Sequence, residues 1–137
     1  MSKSKKLLIV DDIAMNRLVL KKLFSQDFEV IEASNGQQAL ELIEKHCTEL
    51  ALVLLDLVMP EKDGLYVLKS MNESNIIERI PVIVVTGDSD EGKALESYSL
   101  GVSDLIRKPF NSEIVMRRVR NTIDLYSHKN FLEQKLE

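Results

Sequence analysis

The sequence predicts a doubly wound α/β fold, a parallel sheet covered by helices on both faces. Three observations carry this expectation. Short, uniformly apolar runs recur along the chain, as expected of strands buried on both sides. Amphipathic stretches at helical spacing separate them. Acidic, hydroxyl and ammonium side chains stand at the ends of several runs, where functional groups gather in such folds.

Leu7, Leu8, Ile9 and Val10 form the first apolar run. Val19, Leu20, Leu23 and Phe24 then recur at helical spacing and predict a helix over residues 14–25. Residues 28–33 read as a second strand. Ser34-Asn35-Gly36 leads into a second helix that carries Ala39, Leu40 and Ile43. Residues 50–55 are apolar without a break and predict the central strand. A third helix follows Asp63-Gly64 and turns Leu65, Leu68 and Met71 inward. Residues 80–85, with Ile83, Val84 and Val85, predict a fourth strand. The segment 90–100 is a weaker helix with Ala94, Leu95 and Tyr98 as its apolar side, and Gly101 ends it. Residues 102–106 predict a short fifth strand. Asn111 or Ser112 then caps a long last helix, with Glu113 in its first turn. Five strands alternating with five helices call for right-handed crossovers in a parallel sheet.

Composition narrows the class. A chain of 137 residues without an internal repeat is expected to form one domain. Hydrophobic residues make up 45% and charged residues 29%, a balance that argues against disorder. The net charge is −4 and the basic residues are scattered, so no direct nucleic-acid binding by this segment is expected. The basic start Met1-Ser2-Lys3-Ser4-Lys5-Lys6 precedes an apolar run too short for a signal peptide or a membrane span. Cys47 is the single cysteine, which leaves no internal disulfide and no multi-cysteine zinc site. A cytoplasmic protein without a membrane partner is the expectation.

The chemistry stands at four strand ends. Asp11 and Asp12 end the first strand, Asp56 the third and Thr86 the fourth, while Lys108 follows the fifth. Three carboxylates held close together need a cation, because like charges repel strongly at contact distance. An oxygen-only site of this kind suits Mg²⁺. An aspartate beside Mg²⁺ and a lysine is placed to attack phosphorus, since both cations neutralise charge on the transferred group. Each element alone has an ordinary reading: paired aspartates as a helix cap, Asp56 with Met59-Pro60 and Asp63-Gly64 as a capped turn, Thr86-Gly87 as a turn, Lys108-Pro109-Phe110 as a loop. Their joint occurrence in order is what a structural reading does not explain. His46 and His128 lie away from the strand ends and are not expected to act as bases.

Leu8-Ile9-Val10-Asp11-Asp12, the stretch from Leu55-Asp56 through Val58-Met59-Pro60 to Asp63-Gly64, Val85-Thr86-Gly87 and Lys108-Pro109-Phe110 together resemble the response-regulator receiver domains of two-component signalling. The intervals match as well, with 30 residues from Asp56 to Thr86 and 22 from Thr86 to Lys108. The likeness runs over residues 5–124. It implies a flavodoxin-like (βα)5 three-layer sandwich with strand order 2-1-3-4-5. It implies that Asp56 accepts a phosphoryl group from a histidine kinase or phosphotransfer protein. Asp12, Asp56 and the backbone carbonyl of Val58 would hold Mg²⁺ directly, and Asp11 through a water. Lys108 would pair with the acceptor, Thr86 would move onto the phosphoryl group, and the Lys108-Pro109 peptide would be cis. Pro60 and Gly64 would shape the loop behind the acceptor.

Leu105 departs from the pattern, because the family usually has an aromatic residue at that switch position. Val58 and Asp88 fall where the family varies its autodephosphorylation rate. Aspartate-dependent phosphohydrolases, the enzymatic alternative, carry a second aspartate two residues after the nucleophile, and Val58 stands there instead. Retention of Asp11, Asp12, Asp56, Thr86 and Lys108 counts against a scaffold without phosphorylation. Residues 1–125 are expected to form the receiver and 126–137 a helical extension. Leu125, Tyr126, Phe131, Leu132 and Leu136 there alternate irregularly with charges. Two readings stay open for this stretch: a solvated tail, or a signalling helix that pairs in a homodimer or leads to an output domain C-terminal to Glu137.

Overall fold

The computed structural model describes residues 5–60, 62–87 and 91–136. Residues 1–4, 61, 88–90 (Asp88 among them) and 137 lie outside that description, as do the side chains of Phe131 and of residues 133–136. Five strands, β1 (Lys6–Val10), β2 (Glu29–Ala33), β3 (Leu50–Asp56), β4 (Val82–Thr86) and β5 (Asp104–Arg107), alternate with α1 (Ala14–Phe24), α2 (Gly36–Lys45), α3 (Gly64–Glu73), α4 (Glu91–Ser99) and α5 (Ser112–Leu136). The sheet is parallel in the order β2-β1-β3-β4-β5, the doubly wound order the resemblance implies.

Alternation along the strands builds two cores. Leu7, Ile9, Leu52, Leu54, Ile83 and Val85 point to the side covered by α1 and α5, where Phe24, Val115 and Val119 are buried. Leu8, Val10, Val53, Leu55 and Val84 point to the side covered by α2, α3 and α4. β1 and β3 are central, so both faces of each must be apolar, and the uninterrupted runs in the sequence follow. On α3, Leu65, Leu68 and Met71 are buried as their spacing predicts.

Caps fix where the helices start. Asn35 Oδ1 accepts from Gln38 N–H at 2.9 Å, and Asp63 Oδ1 accepts from Tyr66 N–H at 3.1 Å. Asn111 Oδ1 accepts from Glu113 and Ile114 N–H at 2.8 and 3.2 Å, which settles the cap of α5 on Asn111. Each side chain satisfies donors that the first turn leaves unpaired.

Four details depart from the sequence reading, and one is that β5 begins at Asp104 rather than at residue 102, after Ser103 N–H donates to the Val82 carbonyl at 2.8 Å. β4 begins at Val82 rather than at residue 80: Pro81 has no N–H to donate, although its carbonyl accepts from Val53 N–H at 3.0 Å. A short 3-10 helix, Ile76–Glu78, precedes it and follows Asn75 in the left-handed region at φ 64. α4 is rotated from its expected orientation. It buries Ala94 and Ser97, while Leu95 and Tyr98 are 68% and 54% exposed. The small pair lets α4 lie close to the sheet, and Ser97 Oγ satisfies itself on the Ala94 carbonyl at 2.6 Å. None of the described helices is long and apolar enough to cross a membrane.

The orientation of α4 sets opposite sensitivities on adjacent residues. Leu95→Gln is expected to change stability by less than about 0.5 kcal/mol. Ala94→Leu, which forces extra volume into a filled site, is expected to cost about 1–3 kcal/mol. Urea denaturation of both variants checks this, and the reverse ranking would return Leu95 to the core.

Candidate functional site

Sheet pairing assembles the site. Asp56 is the last residue of β3 and lies in register with Val85, and Thr86, the last residue of β4, pairs with Arg107. Backbone bonding continues one step past the strands: Asp11 N–H donates to the Ala33 carbonyl at 3.1 Å, and Lys108 N–H to the Thr86 carbonyl at 2.8 Å. The ends of β1, β3, β4 and β5 therefore present Asp11, Asp56, Thr86 and Lys108 along one edge.

Lys108 Nζ lies 3.5 Å from Asp56 Oδ2 and 3.6 Å from Asp11 Oδ2. Oxygens of Asp11, Asp12 and Asp56 all fall within 4.8 Å of one another. Asp11 is 3% exposed and Asp56 5%, whereas Asp12 is exposed. Paired aspartates after a strand often cap the next helix, but here they do not. The N-cap of α1 is Ile13, and its side chain makes no capping bond. Asp11 Oδ1 instead accepts from Ile13 N–H at 2.9 Å, which turns the carboxylate back toward the strand ends.

Burial pushes the Asp56 carboxyl up to about 6, and the charge of Asp11 adds to the rise. Lys108 and the Val58 N–H, which donates to Asp56 Oδ1 at 3.1 Å, pull it partly back. Among the described residues one ammonium, that of Lys108, thus reaches two of the three carboxylates. The donor set is all oxygen, two of its three carboxylates are buried, and its uncompensated charge is negative, so it fits a hard divalent cation such as Mg²⁺.

Thr86 is fully buried, and the acceptor described for its hydroxyl, the Gly87 carbonyl, is at a marginal 3.5 Å. Leu105 is buried in the core under α4. The Lys108–Pro109 peptide is cis. His46 lies at the opposite end of the sheet, where its Nδ1 is 3.2 Å from Lys6 Nζ and 3.1 Å from Glu49 Oε1. Sequence reading missed two supports. Asn16 Nδ2 donates to Asp11 Oδ2 at 3.2 Å, and Arg17 Nη1 donates to the Asp11 carbonyl at 2.6 Å while its Nε reaches Glu32 at 3.1 Å. Their signal was their place in the first turn of the helix after Asp11.

Comparison with known proteins matches this arrangement to a class. Residues 7–120 match the response regulator receiver domain family, and the chain belongs to it. It is the receiver domain of a two-component response regulator. Among its relatives, the transcriptional regulatory protein SrrA of Staphylococcus aureus is 38% identical over 118 residues, covering 85% of this chain and 47% of that protein. The chain thus spans about half the length of the curated relatives it matches. A response regulator receiver domain protein from Clostridium thermocellum superposes with TM-score 0.82 at 26% identity, covering 93% of this chain and 98% of that one. A CheY-like receiver domain protein from Methanospirillum hungatei JF-1 gives TM-score 0.82 at 24% identity, covering 91% and 98%.

Asp56 has a consequence for pH. Its folded-state value, about 6, lies above the ordinary 3.8, so between these limits the folded protein holds a proton that the unfolded chain has lost. Stability therefore falls as pH rises through that window and levels off above it. Without divalent cations, Asp56→Asn is expected to be more stable than wild type at neutral pH. The gap should close below about pH 4 as the unfolded-state carboxyl takes up its proton. Urea titrations across this range measure it, and a gap independent of pH would refute the burial of a charged Asp56.

Proposed function

We propose that Asp56 accepts a phosphoryl group from the phosphohistidine of a histidine kinase or phosphotransfer protein, and that the change is read by a partner or an output domain. The observation that carries this is Lys108 Nζ placed between Asp56 and Asp11 beside a cluster able to hold a cation. In this reading Asp12, Asp56 and the Val58 carbonyl hold Mg²⁺ directly, with Asp11 acting through a water. When bound, Mg²⁺ supplies positive charge for the oxygens of the transferred group and holds Asp56 ionised. An Asp56 carboxylate oxygen forms the bond to phosphorus while the phosphorus–nitrogen bond breaks, and the leaving imidazole keeps the electron pair. Lys108 holds an oxygen of the new acyl phosphate, and the Thr86 hydroxyl, weakly engaged at 3.5 Å, is available to donate to another. Ile13, Met15, Leu18 and Val58 leave exposed apolar surface beside the site, which suits docking of a donor helix.

The chain is read as a signalling switch with self-catalysed transfer and autodephosphorylation, located in the cytoplasm. Residues 1–125 form the receiver unit in this reading, and 126–137 a helical extension toward an output domain or a second copy. The first turn of the extension rests on the body: Ser103 Oγ donates to Tyr126 Oη at 3.2 Å, and Lys129 Nζ to the Glu78 carbonyl at 3.3 Å.

Acetyl phosphate with Mg²⁺ is expected to add one hydroxylamine-labile phosphoryl group, seen as a Phos-tag shift, and Asp56→Asn is expected to abolish it. Equal labelling of that variant would remove Asp56 from its role.

A second expectation concerns the switch. Leu105 already lies inward and has no hydroxyl to draw it out, so it is expected to keep its rotamer when Thr86 moves. The response falls instead on α4, which fully buries only Ala94 and Ser97 among its described residues. Structures with and without beryllium fluoride test this. An outward flip of Leu105 over a motionless α4 would overturn it.

A further inference from the structure

The loop behind Asp56 is pinned from the opposite side by α2. Gly36, the first residue of α2, is buried and donates its backbone N–H to the Lys62 carbonyl at 2.9 Å. The approach leaves no room for a side chain: a Cβ at Gly36 would sit 2.3 Å from the Lys62 carbonyl oxygen and 2.9 Å from its carbon. The colliding atoms are backbone, so no side-chain rotation relieves the clash. Lys62 Nζ reaches the same turn of α2, donating to Gln37 Oε1 at 2.7 Å.

The other end of this loop is equally tight. Gly64 N–H donates to the Leu57 carbonyl at 3.1 Å, and a Cβ at Gly64 would lie 2.5 Å from the Asp56 carbonyl oxygen. Asp63, between these two anchors, caps α3 and takes Lys93 Nζ of α4 at 3.3 Å. The turn from Lys62 to Gly64 and the end of β3 thus pack closely, and α2 bonds to that turn at Lys62. Lys62 connects through Asp63 and Gly64 to Leu57, the chain neighbour of Val58, whose N–H donates to Asp56 Oδ1 at 3.1 Å.

We propose that Gly36 is a positioning residue for the acceptor site: its bare backbone N–H sets the path of the loop, and through it the geometry of Asp56 and the Val58 carbonyl. The proposal rests on the reading of Asp56 and its cation given above. It makes α2, which contributes no group to the site, a place from which the reaction is controlled. Misplacement of catalytic groups by about 1 Å from a remote change is enough to lower rates up to about a hundredfold.

The test compares wild type, Gly36→Ala and Asn35→Ala as full chains. Asn35→Ala removes the cap on the first turn of α2 without adding an atom at the contact. Mg²⁺ affinity is followed by amide chemical shifts, labelling by acetyl phosphate on Phos-tag gels, and folding by thermal melts. Gly36→Ala is expected to weaken Mg²⁺ binding and slow labelling by about tenfold. Asn35→Ala is expected to move both in the same direction by less.

A lower melting temperature with Mg²⁺ affinity and labelling rate unchanged in the folded protein would overturn the proposal, because the contact would then be structural only. Should Gly36→Ala fail to fold, Asn35→Ala decides by the same Mg²⁺ readout: weakened binding supports the proposal, and unchanged binding overturns it. Wild type that binds Mg²⁺ but is not labelled would sink the acceptor reading and leave the affinity comparison to decide this one. Wild type that binds no Mg²⁺ would overturn both.

Discussion

Asp11 and Asp56 are buried side by side at the ends of adjacent strands, and among the described residues Lys108 is the cation that reaches both. Two carboxylates in low dielectric repel, and one ammonium does not neutralise them. The surrounding architecture is what keeps them there. β1 and β3 are each clamped by two apolar cores, so neither strand end can retreat to relieve the repulsion. The Thr86 carbonyl holds the backbone of Lys108, so the root of the counter-charge is fixed beside the charges it faces. A site built this way fits a further positive charge.

Much of this was legible from the residues. Strands buried on both faces are written as unbroken apolar runs, and Leu7 to Val10 or the stretch into Asp56 admit little else. The strand ends followed, and with them Asp11, Asp56, Thr86 and Lys108. What failed was decided by close fit rather than by pattern. Leu95 and Tyr98 satisfy the helical spacing rule, yet Ala94 and Ser97 face the sheet, because α4 has room only for small side chains there. Strand starts at Val82 and Asp104 were displaced by backbone pairing around Pro81 and Ser103, which hydrophobicity does not encode. Asn16, Arg17 and the Gly36–Lys62 contact escaped because each depends on which turn of a helix abuts which strand end.

The two helices that flank the acceptor loop hold it differently. α2 does so through backbone, with no side-chain freedom at Gly36, while α4 reaches it through a long lysine that can adjust. A change at Asp56 thus meets a rigid wall on one side and a compliant contact on the other. Compliance and sparse burial thus coincide on α4.

The strand order also dictates when the molecule can become itself during synthesis. β1 is made first but stays half-covered until β3 emerges some forty residues later, because its two neighbours are β2 and β3. The core on its α1 side waits longer still, for Val115 and Val119 of α5 to complete it. Non-local parallel pairing of this kind folds slowly and leaves apolar edges open meanwhile. Lys108 joins the two aspartates only after all five strands have been made. A nascent chain therefore carries its carboxylates without their counter-charge, and competence to signal arrives in one step with completion of the sheet.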